Sequence, residues 1–596
     1  MRKNVTETIL FLCFLSFISI RVQAQNLGKG LPPHTEYQEL TAPAAIDKAE
    51  WEKQPDGLCF AWGSTDVRYD KVNVPQNILH DRTLKLSSWK GEKLNAQCFL
   101  WSKQTHEKIS LKFCNLKDNR GNSIPAECLS AGFVRYVMTD ELNKERTSGC
   151  GHRPDKTQWD SLLVADPIDI TPFFALNPQN VCPVWVSIRV PRDIPTGTYN
   201  GKIVILDNEK ETGSLRIQVK VGKNTLPPPS EWRFHLDLWQ NPYSVARYYN
   251  TEEWTDEHFE AMRPIMKSLA EAGQKVITAS ITHKPWNGQT YDYFKSMITW
   301  IRKYDGSWEF RFDVFDAWVE FMISLGIDRQ INCYSMVPWN FTFQYFDQKS
   351  NQMQTIHTEP GEKEYTEIWT ALLKSFAKHL KEKGWFEKTC IAMDERPMEV
   401  MQKTIELIRS VDKNFKVALA GLYYEEIEPY IFDYCVSTDQ LFPFRAIERR
   451  KAEKKVTTYY TYCGDTRPNT FTFSAPADAA WIGFYAARLH MDGYLRWAYN
   501  SWVENPLQDS RFVTWAGGDT YLVYPGFRSS IRFERLIEGI QQNEKITLLR
   551  NHYLKENNKK KLAELEKKLQ MFDLEELKKG AKAEDAVRTM TEYLNK

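Results

Sequence analysis

Neither sign of charge is in excess in this chain: 78 Lys and Arg face 77 Asp and Glu, leaving a net charge of +1. A protein that grips nucleic acid or an acidic membrane needs a basic footprint, so those partners are not expected and a neutral ligand is. Long apolar runs are scarce too, apart from Ile9–Ile20 in MRKNVTETILFLCFLSFISIRVQAQ. That run follows a basic start, is short for a membrane span, stops at Arg21 and precedes Val22 and Ala24. The pattern predicts a cleaved signal peptide over residues 1–24, with export to the periplasm or the cell exterior and no integral membrane segment afterwards. Metal-binding spacings are the third absence: no CxxC pair or His–Cys cluster suggests a metal.

Cysteine itself is present. Ten remain after the signal, six of them between Cys59 and Cys182, in a compartment that permits disulfides, though spacing assigns no pairs. Cys333, Cys390, Cys435 and Cys463 fall within apolar runs and read as buried thiols. Aromatic residues make up 13% of the chain, a content that suits sugar stacking and a large core equally.

A length of 596 residues predicts two or three domains. Residues 25–229 carry short alternating runs such as QCFLWS, RYVMT and GKIVILD between turn residues, which predicts an antiparallel β-sandwich. Within it, PVWVSIRVPRDIPTGTYNGKIVIL reads as a hairpin turning at Pro195-Thr196-Gly197. LPPPS, Leu226–Ser230, reads as a stiff linker. From residue 230 to 555 eight apolar runs alternate with helical patterns: RFHLDLWQ, KVITASI, QINCYSMV, CIAMDE, KVALAGL, YCVSTDQ, VTTYYTYC and GYLRWAYNSW. Eight strands, each followed by a helix, predict a (β/α)8 TIM barrel whose active site lies at the strands' C-terminal ends. Residues 556–596, with KKKLAELEKKLQ, read as a solvated, charged helical tail.

The fourth run, IAMDERP, ends in two adjacent acids, Asp394 and Glu395. Neighbouring carboxylates repel, so the pair is costly unless used. Either acid would also serve as an ordinary cap for the helix that Pro397 opens. At a barrel mouth, however, a bend leaving the strand lets two neighbours do different jobs. Other strand ends offer Asp237, Trp239, His283, Tyr334, Asp439, Tyr459, Tyr460, Tyr462, Trp497, Tyr499 and Trp502 as substrate-binding candidates. For a single Tyr or Trp, core filling is the plainer account. Asp237 and Asp439 stand out because a carboxylate rarely sits in an apolar strand alone, although a barrel Arg would satisfy either.

Glycosidases commonly set two carboxyl groups on opposite sides of the scissile bond, which adjacent acids on one strand are poorly placed to do. They suit the substrate-assisted exception, in which the sugar's 2-acetamido oxygen attacks, one acid protonates the leaving group, and its neighbour holds the acetamido N–H. IAMDERP, GYLRWAYNSW, AGGDTYLVYPG and SIRFERLIEGIQQNEK together resemble glycoside hydrolase family 123, the β-N-acetylgalactosaminidases. WKGEKLNAQCFLW and PVWVSIRVPRDIPTGTYNG are similar to that family's N-terminal sandwich. The resemblance implies retaining removal of terminal β-linked N-acetylgalactosamine from glycolipid or glycoprotein glycans, without metal or cofactor. It implies Asp394 as the group that orients the acetamido, ionised at rest, and Glu395 as the general acid/base, protonated at rest. Two other readings stay open: a glycosidase using Asp237 or Asp439 as a distant nucleophile, and a non-catalytic glycan-binding barrel.

Overall fold

The computed structural model describes residues 39–76, 78, 83–140, 150, 157 and 159–596. The expected signal peptide lies outside the described residues. Two sheets form the N-terminal sandwich. The inner sheet runs Cys59–Gly63, Lys93–Ser102, Asn180–Arg189, Leu129–Thr139, Leu162–Ile168 and then Ser529–Ser530, contributed by the far end of the chain. The outer sheet runs Thr83–Lys90, Lys210–Thr225, Gly197–Asp207, His106–Phe113 and Phe173–Leu176. Between them lies a core that includes Val184, Val186, Ile188, Ile203, Ile205 and Ile217.

The expected hairpin across Pro195-Thr196-Gly197 is instead a crossover, because Asn180–Arg189 and Gly197–Asp207 belong to opposite sheets. Alternation shows which face of a strand is buried but not whether the next strand pairs beside it or faces it across the core. The true hairpin joins Gly197–Asp207 to Lys210–Thr225 through Asn208 and Glu209, both at positive φ as a tight turn requires.

Eight parallel strands form the second domain: β1 His235–Leu238, β2 Val276–Ser280, β3 Gln330–Tyr334, β4 Thr389–Met393, β5 Lys416–Gly421, β6 Asp433–Ser437, β7 Val456–Tyr460 and β8 Gly493–Arg496. Six lie within the expected apolar runs, and β4 and β6 start one residue before theirs, at Thr389 and Asp433. The ladder is continuous from β1 through β8, β7, β6, β5, β4 and β3 to β2. At the seam between β2 and β1, side chains take over from the ladder. Gln274 Oε1 accepts the Leu238 N–H at 3.0 Å, while Gln274 Nε2 donates to Val276 O at 2.8 Å. Gln240 Oε1 accepts the Thr278 N–H at 2.9 Å. The amide groups satisfy backbone that a strand pair would otherwise cover. After β5 there is only the short 3₁₀ turn Glu428–Tyr430, so one of the expected helices is missing. The loops after β2 and β3 add an unexpected four-stranded sheet, Thr299–Arg302, Trp308–Arg311, Thr342–Asp347 and Gln352–His357.

The inner sheet is buried on both faces because its second face packs on the barrel's closing helix, Ile531–Lys555. Asp166 of the sandwich accepts from Arg532 Nε at 2.9 Å and from the Tyr524 hydroxyl at 2.6 Å. Lys545 pairs with Glu92 at 2.5 Å, both side chains almost fully buried. The closing helix also meets the helix Pro476–Arg488 at van der Waals range, since a Cβ on Gly483 would lie 2.1 Å from Gly539 O.

The tail is not the solvated helix expected. It forms three helices, Lys559–Leu569, Leu574–Lys578 and Ala583–Leu594, which bury Leu565, Leu569, Phe572, Leu577, Val587 and Met590. Lys and Glu dominate its composition, but the apolar positions recur at helical spacing and supply one packing stripe. Its end reaches the sandwich, where Trp89 Nε1 donates to Leu594 O at 2.9 Å. Cys333, Cys390 and Cys435 are buried thiols, whereas Cys463 is bonded to Cys150.

Replacing Asp166 by Asn strands the guanidinium of a buried Arg. Asp166→Asn is expected to cost about 3–5 kcal/mol of stability, measured by denaturant unfolding.

Candidate active site

β4 is wholly buried, and the chain bends immediately after Met393. Asp394 follows the strand into the interior with 7% exposure, while Glu395 turns outward and is exposed. The next helix, Met398–Val411, starts from Pro397 with no side-chain cap, so neither carboxylate is used as one. Trp339 Nε1 donates to Asp394 Oδ2 at 2.9 Å, and Asp394 Oδ1 is buried with no partner among the described residues. Glu395 Oε1 accepts the hydroxyl of Tyr460, the last residue of β7.

Burial pushes the Asp394 carboxyl up to about 7; the Trp339 hydrogen bond opposes that rise and the neighbouring Glu395 charge adds to it. The sequence reading expects Asp394 ionised and Glu395 protonated at rest. The structure instead puts the burial on Asp394, because it continues the strand inward. Tyr460 is itself raised by burial and by the Glu395 charge, so its phenol stays a donor.

Trp239, after β1, packs 4.8 Å from Trp286 and 4.5 Å from Tyr334 between ring centroids. Trp239, Trp286, Trp339, Trp497 and Trp515 line the pocket with both acids, and the Trp286 indole N–H is buried with no partner among the described residues. Arg496, ending β8, donates to Asp519 Oδ1 at 2.6 Å and to Asn469 Oδ1 at 2.9 Å, which fixes Asp519 at the pocket's edge. Tryptophan faces with fixed polar groups between them suit a sugar, whose ring offers C–H bonds on one face and hydroxyls around its rim.

Of the candidates named from sequence, Trp239, Tyr460, Tyr462 and Trp497 line the pocket with Asp394 and Glu395. Asp439 stands one step behind, accepting the Tyr462 hydroxyl at 2.5 Å. Tyr334 is buried behind Trp239 and Trp286. Asp237 lies in a buried network inside the barrel, with Asn332 Nδ2 at 3.4 Å, near the His235–Asp433 pair; burial raises its carboxyl to about 7. His283 sits on the β2 loop against Tyr293, 5.3 Å between centroids. Tyr459 points into the core, its hydroxyl donating to Ile482 O. Tyr499 and Trp502 are core residues as well: Tyr499 donates to Ile265 O at 2.8 Å and Trp502 to Val523 O at 2.7 Å. β8 ends at Arg496, so strand alternation no longer governs where they point.

Sequence reasoning misses several pocket residues, among them Trp286, Trp339, Trp515 and Asp519. For the first two a signal exists: Pro-Trp-Asn occurs twice, at 285–287 and 338–340, after β2 and again after β3. The two copies touch, since the Trp339 N–H donates to Pro285 O at 3.0 Å.

A parallel barrel with an acid pair at the end of its fourth strand, inside a tryptophan-walled pocket, has the form of a glycoside hydrolase. Comparison with known families makes this definite. The model described as glycoside hydrolase 123, catalytic domain, matches residues 239–549, and that described as glycoside hydrolase 123 N-terminal domain matches residues 62–207. The chain belongs to glycoside hydrolase family 123. Among solved structures it is similar to a family 123 glycoside hydrolase from Clostridium perfringens, described in terms of glycolipid glycan hydrolysis. The two are 26% identical, the match covers 90% of this chain and 98% of that one, and the TM-score is 0.79. A family 39 glycoside hydrolase from Bacteroides cellulosilyticus WH2 matches at 11% identity over 77% of this chain and 82% of that one, with a TM-score of 0.33 that carries no argument. No curated protein matches.

A carboxyl raised by folding favours the folded state while protonated, and that contribution is lost as pH rises through the folded-state value. Asp394→Asn should therefore be more stable than wild type, by a margin that grows between about pH 4 and pH 7 to some 2–4 kcal/mol and then levels off. Thermal unfolding of both proteins across this range measures it.

Proposed function

We propose that this glycosidase removes terminal β-linked N-acetylgalactosamine with retention, the substrate's own acetamido group acting as nucleophile. The observation that carries the reading is the buried Asp394 Oδ1, which has no partner among the described residues, beside an exposed Glu395. Asp394 is oriented by Trp339 through Oδ2, which leaves Oδ1 to accept an amide N–H. As Glu395 gives its proton to the glycosidic oxygen, the acetamido oxygen attacks the anomeric carbon and the aglycone departs. The resulting cyclic oxazolinium carries positive charge next to Asp394, and such a charge pulls that carboxyl back toward its ionised form. Glu395 then takes a proton from water, which attacks the anomeric carbon from the face the aglycone left, and the second inversion restores the configuration.

Asp237 and Asp439, the nucleophiles of a two-carboxylate route, are outside the pocket lining, and Asp439 is engaged by Tyr462. The Clostridium perfringens relative's connection with glycolipid glycans supports a glycan of that kind as the natural substrate. Export fits the signal-like start and the Cys150–Cys463 bond, which forms in an oxidising compartment.

Matched aryl β-N-acetylgalactosaminide and β-N-acetylglucosaminide should show clear preference for the galacto sugar. Along mono-, di- and trifluoroacetyl substrates the rate should fall progressively, because fluorine weakens the attacking oxygen. A flat series together with a glycosyl adduct on any carboxylate sinks the substrate-assisted reading. Glu395→Gln is expected to cost roughly a hundredfold to ten-thousandfold on poor leaving groups and to spare good ones. Equal loss on both would move the proton donor to another acid.

A further inference from the structure

The C-terminal tail has no part in the chemistry above, yet one of its side chains reaches the barrel mouth. Lys578 ends the helix Leu574–Lys578, and its Nζ lies 3.5 Å from Asp465 Oδ1 and 3.8 Å from Asp439 Oδ1. Those carboxylates come from the loops after β7 and β6, and both act on Tyr462. Asp439 Oδ2 accepts the Tyr462 hydroxyl at 2.5 Å, and Asp465 Oδ2 accepts the Tyr462 backbone N–H at 3.2 Å. Tyr462 lines the pocket.

Two acids converging on one residue repel unless a cation stands between them. Asp465 is locked, with 1% side-chain exposure, and also accepts the Thr438 hydroxyl. Asp439 is half exposed, and among its described contacts only Tyr462 and Lys578 hold it. The helix that delivers Lys578 is itself fixed: Leu574 and Leu577 are buried, Asp573 accepts the Glu576 N–H, and Arg488 pairs with Asp573 at 2.9 Å. The cation is thus carried on a rigid element.

We propose that Lys578 is a positioning residue for the sugar pocket. By neutralising Asp439 and Asp465 it fixes the Tyr462 ring and hydroxyl at the pocket wall, so the tail belongs to the active-site apparatus. The inference rests on reading this pocket as the glycosidase site. Lys578 touches no substrate and acts through Tyr462.

Steady-state kinetics on an aryl β-N-acetylgalactosaminide test it. Lys578→Met keeps the stem and removes the charge; KM should rise about threefold to tenfold with kcat within about twofold, as expected for lost ground-state positioning. Lys578→Arg should return KM to within about twofold of wild type, and thermal midpoints of both variants should stay within about 2 °C of it, as for a partly exposed ion pair. Tyr462→Phe removes the Asp439 arm of the link and leaves the Asp465 bond to the backbone N–H, so adding Lys578→Met to it should raise KM by less than Lys578→Met does in wild type. If wild type is active and Lys578→Met leaves KM unchanged, or if the two substitutions multiply, the inference fails and the functional reading stands. If wild type cleaves no glycoside, the functional reading fails and takes the inference with it.

Discussion

The buried pair of Arg532 and Asp166 is the contact on which the rest of the molecule depends. Arg532 Nε meets Asp166 of the sandwich, while Nη1 donates to the carbonyls of Thr470, Gly518 and Tyr521 at 2.6, 2.9 and 2.9 Å. One guanidinium therefore ties the inner sheet to the loops that follow β7 and β8. Its planar fork reaches several acceptors at once, which the point charge of a lysine does not. Gly518 of AGGDTYLVYPG makes room for it: its φ is +75°, and a Cβ there would lie 2.6 Å from Thr472 and 3.0 Å from Arg532 Nη1. Most of that motif is scaffold, and Asp519 is the residue it delivers to the pocket.

Around the acid pair, stability and chemistry pull in opposite directions. A carboxylate held in a dry pocket against tryptophan rings weakens the folded state at neutral pH, and its orphaned oxygen is the kind of buried acceptor that cores avoid. The same properties suit it to meet a polar N–H and a developing cation, since electrostatic attraction is strongest where water is excluded. Glu395, one residue on, is exposed. Two identical functional groups acquire different environments from a single bend of the chain.

The loop after β7 gathers support from every part of the protein. Cys463 is bonded to Cys150 of the N-terminal region, Asn469 is held by Arg496 inside the barrel, and Asp465 meets Lys578 of the tail. Sandwich, barrel and tail thus converge on the segment that carries Tyr462, which gives the two outer regions a function beyond covering the barrel.

Local chemistry was enough to make parts of this legible in the sequence. Strand runs separated by helical periodicity revealed the barrel, because period 2 and period 3.6 leave different apolar patterns, and IAMDERP stood out because adjacent acids at the end of an apolar run are costly. Pairing and direction were beyond it. Residues 180–189 and 197–207 alternate alike whether they pair or face each other, the stripe on the tail looks solvated until a partner surface exists, and Cys463 resembles Cys435 until Cys150 arrives beside it. Trp497, Tyr499 and Trp502 read alike and all lie past the end of β8, where the loop path decides which way a ring turns: Trp497 into the pocket, the other two into the core. The two-domain architecture and the acid pair are readable from the chain alone, since both follow from neighbours in it. Which acid is dry, which rings form the wall and what holds Tyr462 were decided by tertiary structure, because each depends on residues tens to hundreds of positions away.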